Sequence, residues 1–166
     1  QPALGWVYKL GAIRKPGEAW TPRIKTSDQM AKSSVPGRLQ VRRYTGAAGL
    51  YVGDAIHDVD EPPGSGGCLI IDPADPVRRK EIPAGTPGRD LLVPLFEKGR
   101  YVGREESLEE IRERVRRELE RLHPTIVRLK NPHRYPAGLL ESLYERRSRM
   151  ILDARKGAHW REQRAL

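Results

Sequence analysis

Cysteine is nearly absent from this chain: Cys68 is the only one in 166 residues. A single thiol excludes an internal disulfide framework and a four-cysteine zinc site. It reads as a buried side chain in a cytosolic protein. Aromatic residues are also scarce, at 6% with a single Phe, so the usual stacking platform for single-stranded nucleic acid is missing. With 37% hydrophobic residues any core is modest for the length. No apolar run is long enough to span a bilayer, and no secretory leader is visible at Gln1. Catalytic signatures are missing as well: there is no G-x-S-x-G, no H-E-x-x-H and no P-loop lysine motif. The four histidines, His57, His123, His133 and His159, are not spaced as a metal pair. His57 sits in DAIHDVDE, which reads as a strand end with a solvated charge run rather than a cation site. His123 reads as a cation suited to a helix C-terminus, and His133 as a fastening of a loop. The chain supplies no complete catalytic set.

What is present is charge. Charged residues make up 32% and the net charge is +9, which invites a nucleic-acid reading. Much of it is interleaved in sign, however, as in EEIRERVRRELER (109–121). That is the pattern of a solvated helix face, and it argues against direct nucleic-acid binding. The exception is IKTSDQMAKSSVPGR (24–38), where Lys25, Lys32 and Arg38 alternate with hydroxyls and the apolar residues keep no period. It closes on Pro36-Gly37, a turn signal. Three cations along one loop can converge on a phosphate or pyrophosphate, with hydroxyls and backbone N–H groups completing the shell. A solvated loop that contacts nothing is the plainer reading of the composition.

The apolar pattern places the elements. GWVYKLGAI (5–13) suits a strand covered on both faces, and AWTPRIK (19–25) a short return strand after Pro16-Gly17. RLQVRRY (38–44) alternates, TGAAG turns, and GLYVGDAIHDV (49–59) follows, so the pair predicts an antiparallel hairpin. CLIID (68–72) is a short buried strand, and residues 72–90 read as a long polar excursion. LLVPLFEKGRYV (91–102) is the clearest hairpin, turning at Gly99. The period then becomes helical. Ser107 and Glu110 form a capping box ahead of Ile111, Val115, Leu119 and Leu122, in a helix ending near His123-Pro124. After the NPHRYPAGL loop a second helix is expected from about Leu139 to Arg155, followed by a basic tail. This is an α+β module with one strand at its front that belongs to another domain, and it reads as the C-terminal part of a longer polypeptide.

Three segments together resemble the C-terminal region of bacterial nicotinate phosphoribosyltransferases. They are LGWVYKLGAI, then PRIKTSDQMAKSSVPGRLQVRR, then LLVPLFEKGRYV with the capped helix and NPHRYPAGL. The resemblance implies an α/β, type II phosphoribosyltransferase-like fold, an irregular α/β barrel plus an α/β sandwich. Residues 1–38 would form the end of the barrel and a basic rim, and residues 39–166 the sandwich part, locally α+β. It implies transfer of phosphoribose from phosphoribosyl pyrophosphate to nicotinate, giving the mononucleotide and pyrophosphate, with ATP hydrolysis and Mg2+. It also implies a cytoplasmic homodimer, with the catalytic histidine and most substrate residues in the remaining N-terminal part. Lys25, Lys32 and Arg38 would be phosphate-binding residues. Where the family pattern usually has a lysine after Arg38 this chain has Leu39, one cation fewer. Two other readings stand beside this one. They are a related enzyme using nicotinamide or quinolinate, and a non-enzymatic module for polyphosphate or nucleic acid.

Overall fold

The computed structural model describes residues 8–27 and 32–163. Near the front, β1 (Ala12–Ile13) and β2 (Thr21–Pro22) form a two-residue antiparallel ribbon. Trp6 and Val7 of the predicted first strand lie outside the described residues, as do residues 28–31 of the basic loop and 164–166 of the tail.

The body of the molecule is a six-stranded sheet. The predicted hairpin is there as β3 (Leu39–Thr45) and β4 (Tyr51–Asp58), antiparallel from Leu39↔Asp58 onward. Gly49, at φ +77°, supplies the left-handed residue of its turn. Next come β5 (Cys68–Ile71), β6 (Arg79–Ile82) and β7 (Gly88–Asp90). β8 (Phe96–Glu97) and β9 (Arg100–Tyr101) form the separate hairpin expected around Gly99. The helix α1 (Leu108–Glu120) carries the capping box as predicted, with Ser107 Oγ accepting from Glu110 N. A single turn, α2 (Pro124–Val127), leads to β10 (Ala137–Leu140), which passes directly into α3 (Glu141–Gln163). The sheet order is β6-β5-β10-β4-β3-β7. β10 runs parallel to β4 and antiparallel to β5.

Several features differ from the sequence reading. The front strand is only Ala12–Ile13, with Tyr8 and Leu10 exposed rather than covered. In DAIHDVDE, read as a solvated charge run, Asp54, His57 and Asp58 are buried on β4. The second helix does not begin at Leu139: Ala137–Leu140 is a strand in the middle of the sheet, and the helix starts at Glu141. Pairing on both sides outweighs the helical spacing of Leu139 and Leu143. The polar excursion of 72–90 contains β6 and β7, the two edge strands, whose polar side chains suit an edge that meets solvent. His123 is not at a C-terminus but is the N-cap of α2, accepting from Thr125 N through its ring. The expected tail is helical through Gln163.

The core lies on both faces of this sheet. Tyr44, Ala55, Ile70 and Ile82 pack into one cluster. Leu139, Leu140 and Leu143 form the other, with Val35, Ile56 and Tyr144 against them. A Cβ at Gly138 would fall 2.2 Å from the Ile71 carbonyl oxygen, so only glycine lets β10 come so close to β5.

Candidate functional site

The basic loop connects β2 to β3, and its own hydroxyls shape it. Lys25 N donates to Ser34 Oγ (2.8 Å), Ser34 N returns a bond to Lys25 O (3.0 Å), and Ser27 N donates to Ser33 Oγ (3.1 Å). The serines thus close the loop on itself instead of standing open for a ligand. Both are buried.

Beneath them lies Arg147 from α3, only 3% exposed. Its Nε donates to Ser34 O at 3.1 Å, and a second guanidinium nitrogen donates to Ser33 O at 3.2 Å. Burial draws its pKa down, with Tyr144 opposing, yet an arginine stays cationic in a protein. The loop is therefore braced from below by a buried cation that answers two carbonyls at once. Further along, Gly37 has φ +104°. A Cβ there would fall 2.1 Å from Asp58 Oδ2, so the carboxylate of Asp58 occupies the space a side chain would need. Arg146 holds that carboxylate at 2.7 Å.

Arg38 leaves the loop toward Asp60, to which its Nε and a terminal nitrogen both donate. Its guanidinium also lies 5.3 Å from the Trp20 ring centre, and that of Arg14 lies 4.7 Å from the same centre. Lys9 Nζ donates to Lys32 O at 3.2 Å. Between these groups is an open cleft of about 420 Å³, lined among others by Lys9, Gly11, Trp20, Ser33, Ser34 and Arg38. That volume is in the range of a small-molecule site. Lys25 and Lys32 are exposed and are not among its lining residues. Of the three predicted phosphate ligands, the structure brings only Arg38 to the cleft, already partnered by Asp60.

Sequence reasoning did not single out Lys9, Trp20 or Arg147. Lys9 and Trp20 were read as parts of short strands. Nothing local to Arg147 announces that its head group answers carbonyls far upstream.

A second network of charged groups lies at the other end of the sheet. Arg43 makes a two-pronged contact with Asp54 (2.9 and 2.8 Å), and Tyr135 Oη donates to Asp54 Oδ1 (2.8 Å). Burial, then that bond, pushes the Tyr135 pKa up. Glu118 of α1 accepts from Arg43 (3.0 Å), Tyr51 Oη (2.8 Å) and Arg89 (2.5 Å). Burial raises its pKa, but the Tyr51, Arg89 and Arg43 donors outweigh burial and leave it below the usual carboxylate value. This network ties α1 and the NPHRYP loop to β3, β4 and β7. His57 is buried on β4, with Nδ1 2.8 Å from Asp58 O. Among the described residues no cluster of His, Cys, Asp or Glu is arranged to hold a metal ion, and no helix is long and apolar enough to cross a membrane.

Residues 38–147 match the family model of the nicotinate phosphoribosyltransferase C-terminal domain. The chain belongs to that family. The match begins at Arg38 and ends at Arg147, so it takes in the whole six-stranded sheet and α1. Nicotinate phosphoribosyltransferase 1 of Arabidopsis thaliana is 30% identical over 151 residues, covering 87% of this chain and 26% of that protein. The nicotinate phosphoribosyltransferase of Bacillus subtilis is 30% identical over 153 residues, covering 91% and 31%. The crystal structure of human nicotinic acid phosphoribosyltransferase superposes with a TM-score of 0.62 at 25% identity, covering 80% of this chain and 25% of that one. The chain thus spans a quarter to a third of the length of these relatives. Its mixed α/β fold is that of the corresponding part of a type II phosphoribosyltransferase-like enzyme.

Proposed function

We propose that this nicotinate phosphoribosyltransferase C-terminal domain serves an active, ATP-dependent enzyme by holding the basic loop of Lys25, Lys32 and Arg38 at the rim of its active site. The observation that carries this reading is the brace: Arg147, buried in the family-matched domain, fixes the loop's carbonyls. A loop so held presents its cations in a fixed geometry, which is what phosphoryl stabilisation requires.

In the reaction proposed for the whole enzyme, the ring nitrogen of nicotinate bonds to C1 of the phosphoribosyl group as the C1–O bond to pyrophosphate breaks. Charge accumulates on the departing pyrophosphate, and Lys25 and Lys32, the exposed cations described in the loop, would meet it. Arg38 holds Asp60 and lies over Trp20 at the cleft. The described residues offer no cluster that fits Mg2+, so no step is assigned to a metal here. ATP, Mg2+ and the catalytic histidine belong in this reading to the remaining N-terminal portion of the enzyme. That portion is also the proposed cover for the apolar stripe of α1, since the relatives have most of their length outside the matched part. A cytoplasmic homodimer completes the proposal.

The test joins this chain to the upstream portion of its own coding sequence and follows mononucleotide formation. Nicotinate is one substrate, nicotinamide runs in parallel, and ATP is omitted from a third reaction. Turnover of nicotinate stimulated by ATP is the expected result. Lys25→Ala and Lys32→Ala are then expected to raise KM for phosphoribosyl pyrophosphate by roughly tenfold each, as loss of a charge-assisted contact does. Turnover of nicotinamide alone, or of neither base, overturns the assignment. So does an unchanged KM for the loop's role.

A further inference from the structure

A second basic site lies at the end of the sheet remote from the loop. β3 is antiparallel to β4, so Arg38 stands beside the Asp58 end of β4. β10 is parallel to β4, and Ala137 pairs with Asp54 near the opposite end. There the turn between β5 and β6 meets the NPHRYP loop and encloses a recess of about 110 Å³. Its walls carry Arg78, Arg79, Lys80 and Arg134, with Asp72 at the base and the half-buried Tyr135 beside it.

The charges in this recess do not balance. Asp72 is buried, and its carboxylate is fully engaged: Oδ1 accepts from Ala74 N at 2.9 Å and Oδ2 lies 3.0 Å from Arg134. Arg79 Nε donates to Pro76 O at 3.0 Å, which fixes its guanidinium. Among the described residues, Arg78, Arg79 and Lys80 have no carboxylate partner. Elsewhere on the same sheet the cations are matched: Arg42 with Asp90 and Arg43 with Asp54. Arg78 and Lys80, unmatched beside one recess, repel one another, and an anion between them turns that repulsion into attraction; Arg79, next to Lys80 on β6, points to the opposite face of the sheet.

Size restricts the anion. The recess is well below the roughly 300 Å³ of an ordinary small-molecule pocket, and equals the space of about four waters. It suits one compact tetrahedral group, with any larger remainder left in solvent. The Tyr135 hydroxyl is occupied by Asp54, so the ring contributes a wall and the cations contribute the donors. We propose that Arg78, Lys80 and Arg134 form an oxyanion site that takes a single phosphoryl group, either free phosphate or the terminal phosphate of a larger ligand whose remainder stays in solvent. The site is independent of the phosphoribosyl chemistry proposed above.

Calorimetric titration of the full chain tests this, with inorganic phosphate in one arm and ribose 5-phosphate in the other. Salt is held near 0.15 M, where the Debye length is about 8 Å and diffuse attraction to a basic protein is largely screened. Saturable one-to-one binding in either arm is expected, and the tighter arm identifies the source of the phosphoryl group. The double variant Arg78→Ala, Lys80→Ala is expected to weaken it by about tenfold or more. Both positions are exposed, so folding should survive, and circular dichroism checks that it does. Arg112→Ala with Arg116→Ala on α1 removes the same charge elsewhere and should change affinity by less than about twofold. Absence of saturable binding in both arms overturns the site. So does equal weakening by the α1 variant, because net charge alone would then account for it.

Discussion

Two apolar sets in this molecule end up in opposite surroundings. In the sheet and α3, Ile71, Leu139, Leu143 and Ile151 are 2% exposed or less. In α1, Leu108, Ile111, Val115 and Leu119 form a regular helical stripe, yet each is 36–68% exposed and the helix buries no residue. The β8–β9 hairpin is similar, with Phe96 and Tyr101 stacked edge to face and both exposed. What holds α1 is polar: Glu118 receives Arg43, Tyr51 and Arg89, and Arg121 reaches Gly49 O and Thr45. An amphipathic pattern therefore says that a face is made to be covered, not that this chain covers it. Each side chain of such a stripe forgoes about 1.5–3 kcal/mol until something does.

The difference predicts unequal responses to the same truncation. Leu139→Ala should cost about 2–5 kcal/mol in urea unfolding of the chain, because a cavity opens between β10 and α3. Ile111→Ala should cost about 0.5 kcal/mol or less. Equal losses would mean that the α1 stripe is covered in solution, and would end the contrast.

A smaller effect is expected on acidification. The Glu118 pKa is held below its ordinary value in the folded chain, so its protonation opposes docking. The contribution is present above the unfolded carboxylate value near 4.5 and is lost as pH falls through the lower folded value. Asp90, whose pKa is lowered by its bond from Arg42, follows the same direction at the β7 edge. Hydrogen exchange should show the α1 amides losing protection below about pH 4.5 while those of β4 and β10 keep theirs. Loss of both together would show that α1 is part of the cooperative core. Glu118→Ala should reproduce the acid result at neutral pH, with a cost of about 1–3 kcal/mol in docking.

The smallest effect concerns the capping box. Ser107→Ala should speed exchange at the Glu110 amide by roughly fivefold without moving the thermal midpoint of the sheet. A shift of the midpoint would place the first turn of α1 within the core's cooperative unit.

Local rules were legible in the sequence and long-range pairings were not. The capping box at Ser107 depends on residues three apart, and the β3–β4 hairpin on a glycine turn, so both were visible. Ala137–Leu140 hides in the sequence because Ala137 and Gly138 close the NPHRYPAGL loop and Leu139 and Leu140 continue the leucine spacing of α3. Its insertion between β4 and β5 depends on Asp54 and Ile71, far away in the chain. β6 and β7 were hidden because edge strands may keep polar side chains on both faces. In the basic loop the cations were visible from composition. The partner that occupies Arg38 and the buried Arg147 beneath the serines were not, since Asp60 and α3 are remote in sequence.

The placement of β10 also has a consequence in time. The strand that joins the two halves of the sheet is the last to be made, just before α3. While the chain is being synthesised, β4 and β5 must wait with open edges until Ala137–Leu140 emerges. Pairings of such high contact order form slowly, and exposed strand edges are where nascent chains associate wrongly. A ribosome stalled in the NPHRYP loop would therefore hold two half-sheets with a slot between them, the state in which this protein most needs a chaperone.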